Sequence, residues 1–130
     1  MKISLNITAA PYSNQAHLTA LKFAEAIAET EHQLARVFFS GDAVYVGNSL
    51  RVPPQGEEDF TARWIDVANA QNAELILCVS ASLKRGMLDK TEADRYEKGT
   101  FNITSPFIIS GLGQLVEAGI ESDRLITFGG

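Results

Sequence analysis

Cys78 is the one cysteine in a chain of 130 residues, and its surroundings are those in which a thiol can do chemistry. It stands in Glu74 to Gly86, ELILCVSASLKRG, where an apolar run gives way to small hydroxyl residues. The run reads as a buried strand, and Ser80 as the N-cap of a short helix that ends before Gly86. The sulfur then lies at or near the carboxyl end of a strand, where catalytic groups and ligands gather in parallel α/β sheets. It also lies two residues ahead of a helix N-terminus, whose free N–H groups and partial positive charge favour a thiolate, the nucleophilic form. Lys84 and Arg85 follow within two turns as candidates to add to that field. An inert reading stands beside the reactive one. Free cysteine is among the most buried residue types, and LILCV would suit a small hydrophobe. Position alone leaves the two readings level.

The other candidate groups are weaker. His17 falls within a helical stretch and His32 just after it. Neither has metal-ligand spacing with Cys78 or with the other, and both read as surface or packing residues, although a Cys–His pair brought together by the fold stays open. No second cysteine forms a CxxC pair, so dithiol redox chemistry within the chain is excluded. SGLGQL carries Gly111 and Gly113 but Val116 where a third glycine would stand. A dinucleotide fingerprint is not met, and the glycines read as a tight turn and a site of close helix packing. Tyr12 and Gln15 follow the first strand and belong to the same sheet edge as Cys78. They could line a pocket there, or simply serve the turn into a helix.

These residues need a scaffold, and the chain alternates strand-like with helix-like segments. Ile3, Leu5 and Ile7 alternate with polar residues before Pro11 breaks the pattern, which predicts a first strand. Ala16, Ala20, Phe23, Ala24 and Ile27 then form a helical stripe, with the helix running from Asn14 or Gln15 to about Glu31. Gln33 to Ser40 reads as the second strand. Gly41 to Gly56 is irregular, with a short helical turn over Asp42 to Val46. Glu57 to Gln71 reads as a helix with Phe60, Trp64, Val67 and Ala68 on one face, and Glu74 to Cys78 or Val79 as the third strand. Asp89 and Glu92 have capping-box spacing for a helix reaching about Lys98. A short strand over Phe107 to Ile109, a helix over Ser110 to Ala118 and a last strand over Arg124 to Phe128 complete the pattern. Strands separated by helices imply βαβ crossovers. The expected architecture is an α/β fold: a three-layer α/β/α sandwich with a mainly parallel sheet of about five strands. No linker or repeat divides it, so residues 1–130 are expected to form one domain.

Charge and hydropathy exclude several function classes. Eleven basic against 16 acidic residues give a net charge of −5, and the densest basic cluster is only Lys84–Arg85. Direct nucleic-acid binding is not expected of such a surface. MKISLNIT has no secretory-signal pattern and no stretch is long or apolar enough to span a bilayer, so a cytoplasmic protein without membrane attachment is expected. One cysteine also means a fold that does not depend on an internal disulfide.

The ordered set of segments carries a further signal. It comprises PYSNQ after the first strand, ALKFAEAIAE, RVFF leading into a loop with AVY, and RWIDVANAQ. LCVSASLKRG with DKTEADR and SPFIISGLGQLVEAGIESDRLITF complete it. Together these resemble the TusD-like sulfur-relay proteins of the DsrE-like family over nearly the whole chain. The resemblance implies a sulfurtransferase, with Cys78 matching the family's active cysteine. Cys78 would accept sulfane sulfur as a persulfide from a TusA-type donor and pass it to a TusE-type acceptor, toward 2-thiouridine at the wobble position of certain tRNAs. It also implies TusB-like and TusC-like subunits in a dimer of heterotrimers. Exchange by thiolate attack on sulfur needs neither metal nor organic cofactor. Two other readings are carried with it: a DsrE-type subunit of dissimilatory sulfur oxidation, and a non-catalytic scaffold subunit with Cys78 buried. The long segment Gly41 to Gly56 is expected to shield the persulfide.

Overall fold

The computed structural model describes residues 1–130. Its five strands are β1 (Lys2–Ile7), β2 (Gln33–Phe39), β3 (Glu74–Cys78), β4 (Phe107–Ser110) and β5 (Arg124–Phe128). They form one sheet in the order β4-β3-β2-β1-β5, and every neighbouring pair is parallel. The helices are α1 (Gln15–Ile27), α2 (Phe60–Gln71), α3 (Val79–Lys84), α4 (Lys90–Arg95) and α5 (Gly113–Glu121), with a 3-10 segment over Gly41–Gly47.

Alternation decides which side chains meet. In register, Leu5 lies beside Val37, Val37 beside Leu75 and Leu75 beside Phe107, so these share one face of the sheet. That face is covered by Ala20, Leu21, Ala24 and Ile27 of α1 and by Phe60, Trp64, Val67 and Ala68 of α2, all buried. Ser4, Arg36 and Glu74 share the opposite face, and α5 lies there: Arg36 Nη1 donates to the Gln114 carbonyl at 3.0 Å, and the Ser4 and Ser122 hydroxyls meet at 2.6 Å. From β1 to β4 the chain steps in one direction across the sheet, and it returns through α5 to β5. Right-handed crossovers place a reversed step on the other face, which gives the three layers.

The layers are unequal. Two long helices cover one face, but only α5 crosses the other, with Ala118 as its one buried residue. Leu112, Val116 and Ile120 follow at i, i+4 and i+8 and stand 59%, 61% and 78% exposed, so the outer side of this helix is apolar and uncovered.

Most element boundaries fall within a few residues of expectation, and the differences have local causes. Helix α1 ends at Ile27, short of Glu31. Helix α2 begins at Phe60 because Asp59, not an earlier residue, caps it: its side chain accepts from the Ala62 N–H at 3.0 Å. Asp89 caps α4 as its spacing predicts, accepting from the Glu92 N–H at 2.8 Å. That helix stops at Arg95 rather than Lys98, and Glu97 is left-handed at φ 55°. Helix α5 starts three residues later than Ser110. A Cβ added at Gly111 or Gly113 would meet nothing within 4 Å, so the close packing expected of those glycines is absent.

Candidate active site

Cys78 is the last residue of β3 and occupies the N-cap position of α3, with φ −60° and ψ 125°. The helix therefore starts ahead of Ser80, which falls in its first turn instead of capping it. Because Cys78 is still extended, its side chain alternates with that of Leu77. Leu77 lies on the α1/α2 face, against Gly47 of the 3-10 segment, where an added Cβ would collide with Leu77 Cδ1. Cys78 is thus directed toward the α5 face, with Ser110 of β4 as its register partner. Its sulfur is free and the residue is 4% exposed. The one polar side chain on it is that of Ser80: Sγ and Oγ are 3.4 Å apart. Ser80 itself is exposed.

The neighbours expected to add positive charge do not both turn to the sulfur. Arg85 donates from Nε to Asp42 at 2.9 Å and from Nη1 to the Ala81 carbonyl at 3.0 Å, tying α3 to the 3-10 segment. Lys84 is exposed and makes no side-chain hydrogen bond or ion pair. The 3-10 segment buries Ala43, Val44 and Val46 and accepts from the Thr61 hydroxyl at the Val46 carbonyl. Within Gly41 to Gly56, Gly47 packs on Leu77 on one face of the sheet, whereas the sulfur is directed to the other.

Tyr12 does line a pocket at the carboxyl edge. A cleft of about 390 Å³ is bounded by Pro11, Tyr12, Asp42, Tyr45 and Arg51, among others. Tyr12 holds φ 69°, rare for a residue with a side chain. Its ring stacks on Phe60 at 4.4 Å, and its hydroxyl accepts from the Phe60 N–H at 3.0 Å and from Arg51 Nη1 at 3.1 Å. Arg51 is in turn paired with Asp59 at 2.6 Å. Cys78 does not line this cleft, and neither does Gln15. Nothing in the sequence marks Tyr12 as left-handed, since glycine is the residue expected there.

Neither histidine reaches the sulfur. His17, in the first turn of α1, is wholly buried against Trp64 of α2. Its Nδ1 bonds the Ala9 carbonyl at 2.8 Å, so Nδ1 carries the proton, and Nε2 accepts from Trp64 Nε1 at 3.0 Å. Burial holds its pKa below the ordinary 6.5, against the opposing pull of the Ala9 carbonyl. It is a packing histidine, one of the two roles its position allowed. His32 bonds the Met1 amino group at 2.8 Å. No three His, Cys, Asp or Glu residues converge to hold a metal ion. What the end of the inner strand β3 offers chemically is one thiol with one hydroxyl beside it.

The sequence pattern of the DsrE/DsrF-like family matches residues 1–128. The chain belongs to this family. Among relatives of this DsrE/DsrF-like chain, the DsrE protein of Allochromatium vinosum is 43% identical over 129 residues, covering 99% of each chain. The sulfurtransferase TusD of Salmonella typhi is 38% identical over 128 residues, covering 98% of this chain and all of the relative. Among solved structures, the ychN protein from E. coli superimposes with a TM-score of 0.73 at 25% identity, over 98% of this chain and 99% of that one. The parallel five-stranded α/β sandwich is therefore the DsrE-like fold. Relatives named as sulfurtransferases match it end to end, which supports a sulfur-transfer role. No helix is long and apolar enough to cross a membrane.

Proposed function

We propose that this DsrE/DsrF-like chain is the sulfur-carrying subunit of a cytoplasmic relay, acting as a single domain over residues 1–130 with Cys78 as its catalytic residue. The observation that carries the reading is the place of the only thiol: the carboxyl end of an inner parallel strand, in a chain that matches TusD sulfurtransferases over their whole length. The Cys78 thiolate attacks the terminal sulfur of a TusA-type donor's persulfide. The Cys78 S–S bond forms, the donor's S–S bond breaks, and the donor leaves as a thiolate with the electron pair. A TusE-type acceptor thiolate then attacks the outer sulfur and Cys78 leaves as a thiolate. No net oxidation occurs in either step. Without a second cysteine in the chain, the persulfide has no internal thiol to collapse upon.

The uncovered apolar side of α5 supports assembly with other subunits, and TusB-like and TusC-like partners in a dimer of heterotrimers fit the relay. Its end product is 2-thiouridine in tRNA. Net charge −5 fits a subunit that hands sulfur on without touching RNA itself. A second reading, a DsrE-type subunit of dissimilatory sulfur oxidation, is favoured by the higher identity to DsrE, 43% against 38% for TusD.

Mass spectrometry after incubation with a persulfidated TusA-type donor tests the reading. One added sulfur on Cys78, absent in Cys78→Ser, is expected. No gain in the wild-type protein, or a Cys78→Ser protein that still supports thiolation in cells, would refute it, and the buried-scaffold reading would then hold. Restoration of tRNA 2-thiouridine in a cell lacking TusD separates the two destinations of the sulfur.

A further inference from the structure

The hydroxyl beside the sulfur has a specific geometry. Side chains two residues apart within a helix point away from one another. Cys78 and Ser80 meet only because Cys78 is still in extended conformation at the N-cap, while Ser80 has entered the first turn. An N-cap side chain ordinarily accepts from a first-turn N–H, but Cys78 makes no such bond. Its sulfur takes the Ser80 hydroxyl instead, at 3.4 Å. Ser80 Oγ has no other protein partner, so only water competes for its proton. Cys78 is 4% exposed whereas Ser80 is exposed, so the bond joins a buried sulfur to a residue at the surface.

We propose that Ser80 is a positioning residue of the sulfur-transfer step, its hydroxyl donating to Cys78 Sγ whenever that sulfur carries negative charge. This rests on the reading that Cys78 carries sulfur. A thiolate has no proton to give, so in the charged state Ser80 must be the donor. Sγ carries charge twice in a cycle: as the attacking thiolate when sulfur arrives, and as the leaving thiolate when the acceptor removes it. In the persulfide between these steps the charge sits on the outer sulfur, and Ser80 is free to turn toward solvent. The same hydrogen bond thereby assists both entry and exit, and it makes the persulfide the state that Ser80 favours least.

The test uses wild-type protein, Ser80→Ala and Ser80→Thr, with glutathione persulfide as the sulfur probe and iodoacetamide as the alkylating probe. Ser80→Ala should load sulfur and alkylate about threefold more slowly near neutral pH: losing one charge-assisted hydrogen bond cuts the thiolate fraction about tenfold, and the greater nucleophilicity of the unbonded thiolate returns about half of that on a logarithmic scale. The gap should close and then invert as pH rises and every thiol ionises, because the unbonded thiolate is the better nucleophile, and Ser80→Thr should restore the wild-type curve. A purely structural role would move the thermal midpoint and not the shape of the rate–pH curve. Equal rates and curves in wild-type and Ser80→Ala proteins overturn the role of Ser80 and leave Cys78 as carrier. So does a slow Ser80→Ala protein that threonine does not restore. Wild-type protein that takes up no sulfur overturns the reading of Cys78 itself, whatever the alkylation rates show.

Discussion

Acidification should weaken the fold through one buried ring. His17 is fixed as the Nδ1–H tautomer between a carbonyl that accepts, Ala9, and an indole that donates, Trp64. A second proton would have to sit on Nε2, facing the Trp64 N–H. The rings of Phe39, Phe60 and Trp64 surround the imidazole, and no carboxylate touches it to compensate the charge. Its folded-state pKa is lowered from 6.5, with burial as the leading cause. A lowered folded value means the unfolded chain binds the proton first. The contribution of His17 is therefore complete above pH 6.5 and is lost as pH falls from there toward the folded value. One such proton costs at most about 1.4 kcal/mol between about pH 7.5 and about pH 5.5. Urea unfolding at both pH values reads this directly, in wild type and in His17→Gln. Glutamine keeps a donor and an acceptor but cannot titrate. The variant should be less stable at neutral pH yet lose less on acidification. His32, being present in both proteins, cancels in the comparison. Equal losses in the two proteins would refute the reasoning.

Three further outcomes follow from single contacts. Gly47→Ala places a methyl against Leu77 Cδ1 in a filled core and should lower stability by about 1–3 kcal/mol; an unchanged thermal midpoint would show that the segment does not lie against β3. Asn72 ends α2 in left-handed conformation at φ 53°, so Asn72→Ala should cost about 1 kcal/mol in urea unfolding while Asn72→Gly costs little. Arg85→Ala cuts the tie from α3 to Asp42, which is partly exposed at both ends. Hydrogen exchange at Ala43–Gly47 should quicken while global stability changes by under about 1 kcal/mol; unchanged exchange would mean that the tie holds nothing.

The fold was legible because its signals are periodic. Ile3, Leu5 and Ile7 announced β1, and the Phe60–Trp64–Val67 spacing announced α2, because burial on one face imposes those periods. Cys78 was legible as a strand-end residue for the same reason. What escaped was set by directions that residue types do not encode. Ser80 has the chemistry of an N-cap, yet Cys78 occupies that place. Arg85 follows the cysteine closely in sequence, but its guanidinium is claimed by Asp42, 43 residues earlier. Gly41 to Gly56 looked like a cover because it is long, but the face on which its Gly47 packs depended on alternation one residue away from Cys78, at Leu77. Tyr12 could adopt a glycine-like backbone because Phe60 and Arg51, both remote in sequence, hold its ring and hydroxyl.

The pairing of β1 with β5 bears on how the chain can go wrong. On one side β1 meets β2, its near neighbour in sequence. On the other it waits for residues 121 positions later, where the Lys2 N–H and carbonyl bond the Asp123 side chain and N–H at 2.7 and 2.8 Å. Until that segment arrives, one whole edge of an inner strand has open N–H and C=O groups, the template on which foreign strands add. Closing so distant a contact is slow. A product truncated before Arg124 would keep β1 to β4 and the cysteine, yet it would offer that edge to the β5 of an intact molecule. Damaged copies of this protein are thus placed to capture sound ones by strand exchange, in a cell as in a refolding vessel.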